Sequence, residues 1–119
     1  MNDGNIRHCK EAQHCVTALR GAFEQCIVEE TLHHGFCDMA ENLWIMNEEL
    51  AYWLEQVPSH IMNRQTAFEP PPFRAPRGIP LIREAARRAL GHVRALLPFS
   101  DETLATAAEI LEDILQLVS

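Results

Sequence analysis

The sequence predicts an all-α protein with four main helices, arranged as a long helical hairpin and a shorter one joined by a proline-rich linker. Three observations lead to this fold class. Apolar residues recur at helical spacing in four segments, no segment alternates as a strand does, and six of the seven prolines lie between positions 58 and 80. A chain of 119 residues with 47% apolar side chains is expected to be one domain, with hairpins at 1–57 and 81–119 and the linker at 58–80.

The first helix is predicted to begin at Asn5, a good N-cap residue, and to end at His34. Gly35 is expected to stop it in the left-handed conformation, with His33 and His34 facing the negative end of the helix dipole. Its core stripe is expected to consist of Ala12, Cys15, Val16, Leu19, Ala22, Phe23, Cys26 and Ile27.

The second helix is predicted to follow at once and to end near Val57, because Pro58 lacks an amide donor and restricts the residue before it. Its apolar side covers about half of the circumference, wider than the ~100° stripe of a surface helix. Large apolar residues repeat every seven positions there and form a seam, while Ile45 and Tyr52 lie on the opposite, acidic face. The seam is the predicted partner-binding or homodimer surface and contains Phe36, Met39, Leu43, Met46, Leu50, Trp53, Leu54 and Val57.

The linker is predicted to be a stiff spacer, partly in polyproline II conformation. No two of its prolines stand three apart, so the PxxP signature of a peptide ligand is missing. A short turn of helix is expected between Ser59 and Phe68.

The third helix is predicted to begin with Pro80 at its first position and to run to about Leu97, and the fourth to run from a cap at Ser100 or Asp101 to the end of the chain. Both are short enough to pack on one half of the longer pair. Part of the seam would then stay uncovered, which is the reason to expect an interface.

The net charge of −7 hides a segregation along the chain, since residues 1–57 carry −7, residues 58–99 carry +5 and residues 100–119 carry −5. A row formed by Arg83, Arg87 and Arg94 lines one flank of the third helix. The row either pairs with the acidic helices or forms an anion-binding patch. Because the chain as a whole repels phosphate backbones at range, nucleic acid is not expected as a partner.

The first thirty residues show no basic start followed by an apolar run, and no eighteen consecutive residues are apolar. We therefore expect a cytoplasmic protein with neither a signal peptide nor a membrane span. Cys15, Cys26 and Cys37 stand eleven residues apart, which on one helix separates neighbours by ~16 Å, beyond the ~7 Å that a disulfide tolerates. Reduced thiols are predicted.

A metal-binding helical bundle is one alternative function. Three donors at i, i+3 and i+7 could hold zinc with an open position. Two sets have this spacing: His8, Glu11 and Cys15, and Glu30, His33 and Cys37. The Cys-x2-Cys and His-x3-His spacings typical of zinc sites are absent from the sequence, so no metal or other cofactor is predicted.

Another alternative is a ribonuclease. Arg87 and His92, separated by four residues and followed by a turn and a closing amphipathic helix, resemble the HEPN family of all-helical nucleases over residues 83–118. The resemblance implies that this arginine and histidine act at a phosphodiester. Positions five apart on an unbroken helix point ~140° away from each other, so convergence would require the helix to open at Gly91.

In size, acidity and helical make-up, and in the seam from Phe36 to Val57, the chain resembles the QslA-like anti-activators, small helical proteins that bind LuxR-type quorum-sensing receptors. The resemblance implies a transcription regulator that occupies a receptor's dimerisation surface and has no catalytic residues. We therefore predict a non-enzymatic regulator that binds another protein through the seam and forms a homodimer when alone.

Overall fold

The computed structural model describes residues 3–29, 35–64, 68–99 and 102–118. These residues form five α-helices, four of them long, and none is in a strand, which confirms the predicted all-α class. The helices are α1 (Asp3–Val28), α2 (Gly35–Glu55), α3 (Ser59–Asn63), α4 (Gly78–Leu96) and α5 (Glu102–Val118), and a 3-10 turn at Leu97–Phe99 follows α4.

Three predicted boundaries in the first half of the chain were wrong. The first helix begins at Asp3, so Asn5 lies inside it rather than at its N-cap. The first helix ends at Val28 rather than at His34, and both His33 and His34 lie outside the described residues. Gly35 begins α2 instead of stopping α1. Glycine is common both at the start of a helix and just after its end, so Gly35 alone does not show whether it ends α1 or begins α2.

The boundaries around the prolines follow the predictions more closely. α2 ends at Glu55, two residues before the expected end, and α3 confirms the short helix expected after Pro58. Pro80 occupies the third position of α4 rather than the first. Any position in the first turn accepts proline, because the amide groups there have no partner within the helix.

The core is built around the contact between α1 and α4, which is the largest between any two helices, and α5 packs against α4. Small side chains such as Cys9, Ala12, Ala85 and Ala89 are fully buried on these two helices. Small residues permit close approach of the two backbones. α2 lies against both α1 and α5, so it closes the bundle on a second side. None of the described helices combines the length and apolar composition that crossing a membrane requires.

The predicted core stripes are largely confirmed. On α1 every predicted core residue except Ile27 is buried, and Ile27 is half-buried. Helical spacing also predicts the inward positions of the last two long helices. Those found buried are Ile82, Ala86, Ala89, Leu90 and Val93 on α4 and Leu104, Ala108, Leu111 and Val118 on α5. Leu97, in the 3-10 turn, and Leu115 pack against the core from its edge. The sequence pattern therefore located the inward face of each long helix.

Candidate functional site

The centre of the seam is part of the chain's own core. Leu43, Met46 and Leu50 have 0% of their surface exposed, enclosed where α2 packs on α1 and α5. We expected the shorter helices to leave part of the seam uncovered, and these three central residues do not lie in an uncovered part, because α2 packs against both α1 and α5. These three side chains could contact a partner or a second copy only if the helices separated.

The rim of the seam is different. Phe36, Met39, Trp53 and Leu54 are partly buried and pack against the core, and Val57 is half-buried just beyond the end of α2. Phe36 is fixed by a tilted contact with the Phe23 ring, with centroids 5.4 Å apart. The residues at the rim of the seam, and not those at its buried centre, are therefore the ones accessible to another molecule.

The outward side of α2 carries an exposed stripe of five residues, which we call the outer α2 face: Glu41, Ile45, Glu48, Tyr52 and Glu55. Their spacing of i, i+4, i+7, i+11 and i+14 places them on one face of the helix. Ile45 is 55% exposed and Tyr52 is 61% exposed, which are large fractions for side chains of this size. Carboxylates therefore alternate with two large apolar groups along about four turns of helix.

A groove of about 340 Å³ between α1 and α2 borders this face and shares Glu48 with it. The Arg20 guanidinium lies 4.6 Å from the centroid of the Trp44 ring, which forms one wall. Gln13 and Asn47 bond reciprocally, each side-chain amide donating to the other residue's backbone carbonyl at 3.1 and 3.4 Å. The groove is thus held in shape by contacts within the chain.

The contact between α1 and α4 brings together three residues that the sequence assigned to different chemistries. His92 Nε2 contacts a carboxylate oxygen of Glu11, and His92 Nδ1 lies 3.0 Å from Nδ1 of His8. A neutral imidazole has one N–H, so we assign His92 as donating to Glu11 from Nε2 and accepting at Nδ1 from His8. The result is a chain of hydrogen bonds that links the two central helices.

This cluster does not have the geometry of a metal site. Glu11 and His8 approach opposite nitrogens of the His92 ring, so the three donors do not converge on one point. No three His, Cys, Asp or Glu side chains within the described ranges are arranged to hold an ion. Glu30 and His33 of the second predicted set lie outside the described residues, as does the Cys37 side chain.

The cysteines on α1 are core residues. Cys9, Cys15 and Cys26 are buried and none of the three is in a disulfide, which confirms the reduced state predicted for Cys15 and Cys26. Burial raises the pKa of Cys9 and of Cys15 to about 11. Metals bind the thiolate, so Cys15 is a poor ligand in this environment.

Arg87 and His92 do not converge. α4 continues as one helix through Gly91, and the two side chains consequently leave it in different directions. Arg87 is exposed, whereas His92 turns inward to α1. The arrangement that the HEPN resemblance requires is therefore absent from α4.

Burial controls the charge of two histidines near this contact. It lowers the pKa of His92, with His8 and Arg88 acting in the same direction and Glu11 opposing them. Burial also lowers the pKa of His14, again assisted by Arg88. Both imidazoles are therefore held neutral to a lower pH than an exposed histidine would be.

The proline-rich segment is not a free spacer, because residues 70–75, which we call the proline strap, are bound to α4. Arg88 donates hydrogen bonds to the carbonyl oxygens of Pro71 at 2.9 Å and Pro72 at 3.4 Å. Its guanidinium also lies 4.5 Å from the centroid of Phe73, whose ring stacks on His14 with centroids 5.0 Å apart.

Glu84 holds the other end of the strap. Its carboxylate accepts the backbone N–H groups of Arg74 and Ala75 at 2.9 to 3.0 Å, and these bonds lower the pKa of Glu84. Glu84 and Arg88 also pair with each other one turn apart on α4. The i, i+4 spacing of this pair in the sequence indicates an ion pair on one face of a helix but not a binding site for the strap.

The strap and α4 form the walls of an open groove of about 520 Å³, which we call the basic groove. Its walls are Pro71, Pro72, Arg74, Pro80, Arg83, Glu84, Arg87 and Arg88.

Two members of the predicted arginine row, Arg83 and Arg87, line this groove. Arg94 pairs with Glu112 of α5 at 2.7 Å, and Arg83 donates to the Val118 carbonyl oxygen at 2.6 Å. Pairing with the acidic last helix is thus confirmed for Arg94, and Arg83 binds the end of the same helix.

A scan against protein-family models, a search of curated proteins and a search of solved structures find no match for this chain. The resemblance to QslA-like anti-activators stays a prediction from the sequence, whereas the arrangement of Arg87 and His92 that the HEPN resemblance implies is absent from α4.

Proposed function

We propose that this protein is a non-enzymatic regulator that acts by binding another protein, and that the outer α2 face is its main contact surface. The observation that carries the proposal is the exposure of Ile45 and Tyr52 one heptad apart on a helix whose opposite side is already core. Two large apolar side chains at i and i+7 are the anchors by which an amphipathic helix docks into a groove. Aromatic anchors of this kind carry much of the energy in protein interfaces.

The charges on this face indicate the chemistry of the partner. Glu41, Glu48 and Glu55 flank the two anchors, so we propose a partner whose apolar surface is bordered by lysine or arginine side chains. Two copies of this chain meeting through the same face would bring like charges together, which disfavours a homodimer here. A transcriptional regulator, as the anti-activator resemblance implies, is the partner we propose.

The rim of the seam extends the proposed contact. Trp53 follows Tyr52 on α2, about 100° further round the helix, and is partly exposed. A partner that covers Tyr52 and this flank of α2 reaches Trp53 without disturbing the buried centre of the seam. Leu54 lies about 200° from Tyr52, on the side of α2 that packs against the core, and is not part of the proposed contact.

Site-specific photo-crosslinking in the host cell tests the proposal. A photoreactive amino acid replaces Tyr52 in one variant and Leu117 in the control, since Leu117 is 60% exposed on α5 and matches Tyr52 in exposure. We expect a single protein, with basic residues at its contact surface, to crosslink from position 52 and not from position 117. Equal crosslinking from both positions, or none from position 52, would contradict the proposal.

A further inference from the structure

The basic groove takes no part in the proposed function and has a composition of its own. We infer that it is a binding site for a small phosphorylated anion, a phosphate group carried by a metabolite or nucleotide or present as free phosphate.

The groove has an uncompensated positive charge. Four arginines line it, and Glu84 is its single carboxylate. Both oxygens of Glu84 already accept the two strap amides, and the same group pairs with Arg88. Four guanidinium groups against one carboxylate leave the lining with a net charge of +3.

The arginines divide into a fixed pair and a free pair. Arg83 is held by the Val118 carbonyl oxygen and Arg88 by the strap carbonyls, so their positions are set before any ligand arrives. The exposed side chains of Arg74 and Arg87 have no hydrogen-bond or ion-pair partner within the described part of the chain. Guanidinium groups bind phosphate oxygens through two parallel N–H donors, and the free pair supplies one such group from the strap and one from α4.

The geometry favours a small ligand over a nucleic acid. A volume of about 520 Å³ falls within the range of roughly 300–1,000 Å³ typical of small-molecule sites. A small anion in the groove responds mainly to charges within about 8 Å, the screening length at physiological salt. A long polyanion would also cross acidic surfaces such as that of α5, and the chain's net charge of −7 opposes it.

Calorimetric titration of the full chain with four probes tests this inference: inorganic phosphate, AMP, adenosine and a twenty-nucleotide single-stranded RNA. We expect AMP or inorganic phosphate to bind and adenosine not to bind. Binding of phosphate and AMP alike would identify the phosphate group as the ligand, and tighter binding of AMP would indicate a nucleotide. Adenosine binding as well as AMP, RNA binding more tightly than either small anion, or no binding by any probe would overturn the inference.

Variants locate the site. Arg87→Gln and Arg74→Gln should each weaken binding of the phosphate probe at least tenfold with an unchanged thermal midpoint, because both side chains are exposed. Arg94→Gln is the matched control, since Arg94 lies on the same helix but outside the groove and pairs with Glu112. Arg87→Lys should retain part of the affinity. An equal loss in Arg94→Gln, or no loss in Arg87→Gln, would place the anion elsewhere.

Discussion

Replacing Leu50 by alanine should destabilise the protein, whereas replacing Tyr52 by alanine should not. The two residues are neighbours in sequence on α2 but face opposite ways. Leu50 has 0% of its surface exposed in the core, and Tyr52 is 61% exposed on the outer α2 face. The pair therefore tests directly which side of α2 supports the fold.

The expected cost for Leu50 follows from its complete burial. Truncating a buried leucine to alanine costs about 2–5 kcal/mol, the lost transfer free energy plus the cavity left behind. That is a large part of the roughly 5–15 kcal/mol by which a domain is stable. For a chain of this size we expect Tm to fall by about 10 °C. Tyr52→Ala should change the free energy of unfolding by less than about 0.5 kcal/mol, because little of its side chain packs on the core.

Urea unfolding followed by circular dichroism measures both variants. The midpoint for Leu50→Ala should drop with an unchanged m-value, which shows that stability rather than compactness has changed. A cost below about 1 kcal/mol for Leu50→Ala would mean that the seam's centre is not core. An equal cost for Tyr52→Ala would mean that the outer face supports the fold and is not free for a partner.

Three further results are expected. Because the folded-state pKa of His92 lies below its ordinary value of 6.5, the unfolded chain takes up more protons near that pH, so the free energy of unfolding should fall as pH drops below 6.5, and His92→Gln should reduce this fall in pH-dependent urea unfolding. Cys9 and Cys15 should not react with a thiol reagent at pH 8 until the protein is unfolded, and rapid reaction of the native protein would contradict their burial. Glu84→Gln should accelerate amide hydrogen exchange at the two strap amides it binds while leaving α5 unaffected, and unchanged exchange would mean that Glu84 does not hold the strap.

The sequence predicted the helices and their inward faces because periodicity reports burial directly. It could not predict which helix covers which face. Because the apolar side of α2 is wider than one stripe, part of it was expected to face the core and part to face a partner. In the structure its centre is core, since α2 packs on both α1 and α5.

The residues of the polar cluster between α1 and α4 were identified from the sequence, but their contact with one another was not predicted. His8 and Glu11 were identified as neighbours on one helix face, and His92 was identified for another reason. His8 and His92 are 84 positions apart, and no local spacing reports a contact at that separation. The strap was missed in the same way, because proline content predicts stiffness but not what a stiff segment binds.

The affinity of the crosslinked partner for variants of this chain tests the proposed function most directly. Truncating two interface anchors should cost about 1–3 kcal/mol each, with each 1.4 kcal/mol equal to a tenfold change. The double variant Ile45→Ser, Tyr52→Ser should therefore raise Kd by about 100-fold, and Leu117→Ser, equally exposed on α5, should leave Kd within about twofold. Unchanged affinity of the double variant, or an equal loss in Leu117→Ser, would contradict the assignment of the outer α2 face as the binding surface.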